Sequence, residues 1–83
     1  DSTFQLRWFR SHYFDDFNLA DDALIRLPRP VYKDKINEYL DKLFVPQPDT
    51  VSKAIDYIAS IAKKNNDTYQ YLILTLVLKY QNP

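Results

Sequence analysis

Eighty-three residues, 46% apolar and 16% aromatic with a formal net charge of zero, describe one small folded domain rather than a disordered segment. A balanced charge offers no bulk electrostatic signature for nucleic acid or an anionic membrane, and the absence of Cys excludes thiol catalysis, disulfides and Cys-ligated metals within the chain. Gly is absent too, which removes the residue that tight hairpins, phosphate-cradling loops and dinucleotide fingerprints use for positive φ.

A compact chain of this length has an expected radius of gyration of roughly 12 Å. The first thirty residues hold four Arg and no Lys, and the remainder seven Lys and no Arg. Acidic residues divide five and six, so neither part carries a strong net charge. The N-terminus lacks a signal-peptide pattern, and the longest apolar run is too short to span a bilayer. A chain that opens on Asp1 and stops at Asn82-Pro83 reads as a piece of something longer.

Residues 3–14 suit a short helix capped by Ser2 or Thr3, with Phe4, Trp8 and His12 on one stripe and Leu6, Phe9, Tyr13 and Phe14 on its neighbour. An extended lead-in is the alternative. The run from Asp15 to Asp22 is rich in turn formers, with Phe17 and Leu19 placed to plug a core. Ala23-Leu-Ile-Arg-Leu27 suits one helical turn capped by Asp21 or Asp22, and Pro28 and Pro30 stop it.

The clearest helix is 31–44. Tyr32, Ile36, Tyr39, Leu40 and Leu43 recur along one 3.6-residue stripe, while Lys35, Glu38 and Lys42 lie opposite. Pro30 suits its first turn, and the stretch from Phe44 to Pro48 ends it and begins the connection. A further helix spans 49–64, with Val51, Ala54, Ile55, Ile58, Ile61 and Ala62 inward. Asp49 and the Lys63-Lys64 pair complement its dipole, and Asn65-Asn66 is a plausible stop.

The most hydrophobic stretch is 69–80, Tyr-Gln-Tyr-Leu-Ile-Leu-Thr-Leu-Val-Leu-Lys-Tyr. Asp67 and Gln70 read as a capping box, which predicts a helix over 67–81 despite the strand-like composition. A lone strand there would have an unpaired edge with nothing to cover it. The fold expected is therefore all-α: one domain over 1–83, a small bundle of about four helices at 3–14, 31–44, 49–64 and 67–81, with an irregular connection over 15–30.

No catalytic, cofactor or metal site emerges from residue chemistry. His12, the single histidine, lacks an evident nucleophile, and packing or capping explains it more simply. Asp15, Asp16, Asp21 and Asp22 lack the alternate-position ligands, Gly turn and distal Glu of a calcium loop. Solvated turns paired with Arg7, Arg10, Arg26 or Arg29 suit them better. Arg and aromatics together near the N-terminus suggest a single-strand nucleic-acid platform, but five Asp offset the four Arg. Asn66-Asp-Thr68 fits the N-glycosylation pattern formally and serves equally as a helix start.

The last helix carries more apolar surface than one face can bury. Tyr69, Leu72, Ile73, Leu76 and Tyr80 fill one stripe, and Tyr71, Leu74 and Leu78 a second. Helix one is expected to cover that second stripe, because small domains use every apolar face they have. Otherwise Tyr71, Leu74 and Leu78 form an interface to a missing part of the chain or to a second copy.

From Phe9 to Pro28, Phe-Arg-Ser-His-Tyr-Phe-Asp-Asp-Phe-Asn-Leu-Ala-Asp-Asp-Ala-Leu-Ile-Arg-Leu-Pro resembles the opening of a helical domain of unknown function from Bacteroides-type bacteria. Lys35-Ile-Asn-Glu-Tyr-Leu-Asp41, Pro48-Asp-Thr-Val51 and the 69–80 stretch resemble its later elements in order. In that family the domain commonly precedes a TlpA-like thioredoxin domain in exported or lipoprotein thiol–disulfide oxidoreductases of the cell envelope. The resemblance thus implies a non-catalytic accessory domain in the envelope or periplasm, positioned beside a thioredoxin-like partner domain. The Cys-x-x-Cys of thiol exchange has no counterpart here. Self-association as an independent interaction module is the alternative. Asp49-Thr50-Val51 also resembles a short O-glycosylation signal of such bacteria, although helix capping accounts for it equally well.

Overall fold

A computed structural model describes residues 2–42 and 47–81, without the side chains of Ser2, Thr3, Phe4 and Leu6. Four α-helices are present in it: α1 (Ser2–His12), α2 (Val31–Lys42), α3 (Pro48–Ala62) and α4 (Asn66–Gln81), with a short 3-10 helix Asp22–Ile25 between the first two. The all-α expectation holds, and no strand occurs among the described residues. Outside the description lie the proposed Ser2 or Thr3 cap, the stripe positions of Phe4 and Leu6, and the end of the second helix at Leu43 and Phe44 with Val45 and Pro46 beyond it.

The core is built by α2, α3 and α4. Tyr32, Ile36, Tyr39 and Leu40 bury one stripe of α2, while Ala54, Ile58 and Ala62 bury one stripe of α3. The small side chains of Ala54 and Ala62 let α3 approach its neighbours closely. Into this core α4 inserts Thr68, Leu72, Thr75 and Leu76.

The first helix ends at His12, not Phe14, because the chain turns there. Asp15 N–H donates to the His12 carbonyl at 3.1 Å, and Phe17 N–H to that of Phe14 at 3.1 Å. Leaving the helix frees Tyr13 and Phe14 to pack against Tyr39, with ring centroids 5.3 and 4.8 Å away. A chain of aromatic contacts then runs from Phe14 to Phe17 (6.3 Å), from Phe17 to Tyr32 (5.7 Å), and from Tyr32 to Tyr71 on α4 (5.4 Å). Offset and edge-to-face rings at such spacings gain beyond their buried area. This chain of rings, with buried Leu19, anchors an irregular segment that has no helix of its own until Asp22. Asp21 caps the 3-10 helix, its Oδ1 accepting from Ala23 N–H at 3.0 Å.

The connection from α3 to α4 corrects a sequence expectation. Asn65, not Asp67, caps α4: its Oδ1 accepts from Asp67 N–H at 2.9 Å and Thr68 N–H at 3.5 Å. Asp67 lies in the first turn instead and pairs with Arg26 at 3.2 Å. Thr68, wholly buried, donates its hydroxyl to the Ala62 carbonyl at 2.8 Å and shares it with that of Asn65 at 2.9 Å. Both acceptors sit at the corner between the helices, where the Ala62 carbonyl also accepts from Asn65 N–H at 3.1 Å and the Asn65 carbonyl from Tyr69 N–H at 3.0 Å. Thr68→Val is expected to cost about 1–2 kcal/mol, read as a lower urea midpoint with an unchanged slope.

The radius of gyration is 12.8 Å, slightly above the value of roughly 12 Å for a compact chain of this length. Part of the reason is α1, none of whose described side chains is buried.

Candidate docking surface on the last helix

Inward-facing positions of α4 are Thr68, Tyr71, Leu72, Thr75, Leu76 and Lys79, recurring at three- and four-residue steps. Tyr71, placed on the second apolar stripe by its spacing, turns out to be half-buried and held edge-on by Tyr32. Leu74 and Leu78 keep 57% and 53% of their exposure, so helix one does not cover them. Its own exposed Trp8 and Phe9 are occupied differently, Trp8 stacking on His12 and meeting Phe9 edge-on. The expected cover fails because the α1 turn places Tyr13 and Phe14 on Tyr39 of α2.

What α4 presents instead is wider than the predicted stripe. Tyr69, Ile73, Leu74, Val77, Leu78 and Tyr80 are all exposed, and contiguous exposed apolar surface of this kind is where interaction sites are found. No ionisable side chain other than tyrosine lies between Asp67 and Lys79. Both charges that bracket the face are engaged at its edges: Asp67 with Arg26, and Lys79 with Asp41 of α2. Apolar surface continues past Tyr80 into a groove of about 440 Å³ lined by Pro48, Val51 and Ile55 at the start of α3.

The other candidates resolve into structural roles. His12 Nδ1 lies 2.7 Å from Asp15 Oδ2, a partner three residues away that sequence reasoning passed over, although i,i+3 spacing near a helix end signals it. Both side chains are exposed and close the end of α1. Ser11, the adjacent hydroxyl, donates to the Trp8 carbonyl at 3.0 Å. Asp22 pairs with Arg26 at 3.5 Å, and no group of three His or acidic residues able to hold a metal occurs among the described residues. In Asn66-Asp-Thr68 the threonine hydroxyl is buried as part of the helix corner. Thr50 is half-buried in the first turn of α3.

One polar contact ties the irregular segment to α2. The Tyr13 hydroxyl donates to Glu38 Oε1, while Lys35 Nζ sits 4.3 Å from the Tyr13 ring centroid. Glu38 is held below the usual carboxylate range, chiefly by that hydrogen bond, with Lys42 and Lys35 assisting. Burial and the same bond raise the Tyr13 phenol. A depressed folded value means that the contact stabilises the fold above the ordinary 4.5 and that this stabilisation is lost as pH falls through the lowered value. Tyr13→Phe is expected to move the Glu38 titration back toward 4.5, as followed by carboxylate NMR.

Residues 2–82 match the family model described as Domain of unknown function (DUF5106). No curated protein and no solved structure matches the chain. With residues 2–82 of the sequence covered by that model, the chain belongs to the DUF5106 family.

Proposed function

We propose that this domain is a non-catalytic positioning module, and that the open face of α4 seats it against a thioredoxin-like domain of the same cell-envelope protein. The observation that carries the reading is the exposed, uncharged row of Ile73, Leu74, Val77 and Leu78. Covering a Leu fully is worth roughly 2 kcal/mol, so a neighbour that buries this row gains enough to hold a fixed orientation. Lacking Cys, the chain performs no thiol exchange of its own, which suits an accessory role beside a redox domain. Exported, periplasmic residence follows from the same resemblance that suggests the partner.

The test has two arms. The parent reading frame is expected to encode a thioredoxin-like domain with Cys-x-x-Cys after Pro83, and that domain, added separately, should shift the amide resonances of 73–78. A frame without one, or added domain that leaves those amides unmoved, rejects the assignment. A second reading rests on the neutrality of the same face. Two copies meeting about a two-fold axis place like surfaces together, and an uncharged face does so without repulsion. A concentration-dependent dimer in light scattering, abolished by a charge on α4, would favour that reading instead.

A further inference from the structure

A second surface, independent of α4, has the opposite character. Arg7 and Arg10 of α1 and Lys53 of α3 rim a groove of about 300 Å³ floored by Tyr39, Ala54 and Tyr57. Among the described residues no carboxylate lines it, and α1 carries no acidic residue at all. Arg7 and Lys53 form no ion pair among the described residues, even though Asp56 lies one turn beyond Lys53.

Burial pushes the Tyr39 phenol up to about 12, and the positive charge of the lining comes from Arg7, Arg10 and Lys53. Guanidinium groups favour the planar, two-oxygen geometry of a carboxylate, and tyrosine faces favour apolar side chains. Arg7 and Arg10 stand one helical turn apart, and Lys53 faces them from a different helix. A single small acid would engage only part of that rim, whereas an extended chain with acids at intervals reaches all of it. A nucleic acid is the poorer fit: three cations on a chain of zero net charge make a short track for a phosphate backbone.

We propose that this groove binds an acidic peptide segment in which Asp or Glu alternates with bulky apolar residues, the carboxylates on Arg7 and Lys53 and an apolar side chain against the exposed ring of Tyr57. The probe is a short synthetic peptide of alternating Glu and Leu, titrated into the isotope-labelled 83-residue chain and followed by amide NMR. Amide shifts are expected at Arg7, Arg10, Lys53, Ala54 and Tyr57, with affinity falling about tenfold or more in the Arg7→Gln/Lys53→Gln variant and on raising salt. Both replaced side chains are exposed, and unchanged α4 resonances check that the variant is folded. Equal binding of the Gln-for-Glu peptide, shifts elsewhere, no binding, or stronger perturbation of the same amides by a short oligothymidylate would each overturn the proposal.

Discussion

Tyr32→Ala is expected to lower the stability of this domain by about 3–5 kcal/mol, enough to leave a chain of this size partly unfolded at room temperature. Tyr32 has no solvent exposure and touches three parts of the molecule at once. Its ring meets Phe17 of the irregular segment and Tyr71 of α4, and its hydroxyl donates to the Leu19 carbonyl at 2.7 Å. Tyr32→Phe separates the two contributions. It keeps the ring and removes a buried donor, for an expected loss of about 1–2 kcal/mol. Equilibrium urea unfolding monitored by circular dichroism measures both variants.

The same phenol sets an alkaline limit. Burial raises its titration above the ordinary 10.0, so the neutral form is favoured in the folded state. That stabilisation is present in full below 10.0 and disappears as pH rises toward the folded value. Tyr32→Phe should therefore unfold less steeply than the wild type above pH 10.0 while starting from a lower plateau. An identical alkaline slope in the two proteins would show that other buried phenols, Tyr39 among them, carry the effect.

Leu74→Glu is the second large expectation, and its sign depends on what is measured. In the isolated chain, Leu74 is more than half exposed, so the substitution should change stability by less than about 0.5 kcal/mol and reduce nonspecific association. Against the proposed partner, burying an unpaired carboxylate at the centre of an apolar contact should weaken binding by at least about 100-fold. Leu72→Glu, two residues earlier on the inward face of the same helix, should instead unfold the domain, since Leu72 is wholly buried. Comparing the two by calorimetry and by partner titration distinguishes a docking face from a core face. Unaltered partner binding by Leu74→Glu would remove α4 from the interface.

The helices of the core were legible because α2 and α3 each carry a single apolar stripe bounded by charges. Tyr32, Ile36, Tyr39 and Leu40 fall where the 3.6-residue period puts them. On α4 the period was uninformative for the opposite reason. From 69 to 80 apolar residues occur on all sides, and nothing within the helix says which of them points inward. Contacts far away in sequence decide: Tyr71 turns in because Tyr32 offers its ring, and Lys79 is drawn to Asp41. Spacing therefore grouped Leu74 and Leu78 correctly with each other but wrongly with Tyr71. The cap of α4 was ambiguous in another way, since Asn65, Asn66 and Asp67 all have the chemistry of an N-cap. Only the corner geometry made by Thr68 selects the first of them. The basic groove had no sequence signal, because Arg7 and Lys53 lie on different helices far apart in sequence and meet only as lining of one groove.

Placing the sole tryptophan on α1 has a consequence for how unfolding of this molecule is read. Trp8 is 53% exposed on a helix with no buried side chain among the described residues, and it stacks 4.5 Å from the His12 ring. Its fluorescence therefore reports the attachment of a peripheral helix. Tyrosine absorbance and far-ultraviolet dichroism report the ring-anchored core. Helices held by few buried contacts open at lower free energy than the rest of a domain. Transitions followed by the two kinds of probe should then fail to coincide, a pattern ordinarily taken as evidence of an intermediate. Here it would mark the early release of α1 from a core that still melts as one unit.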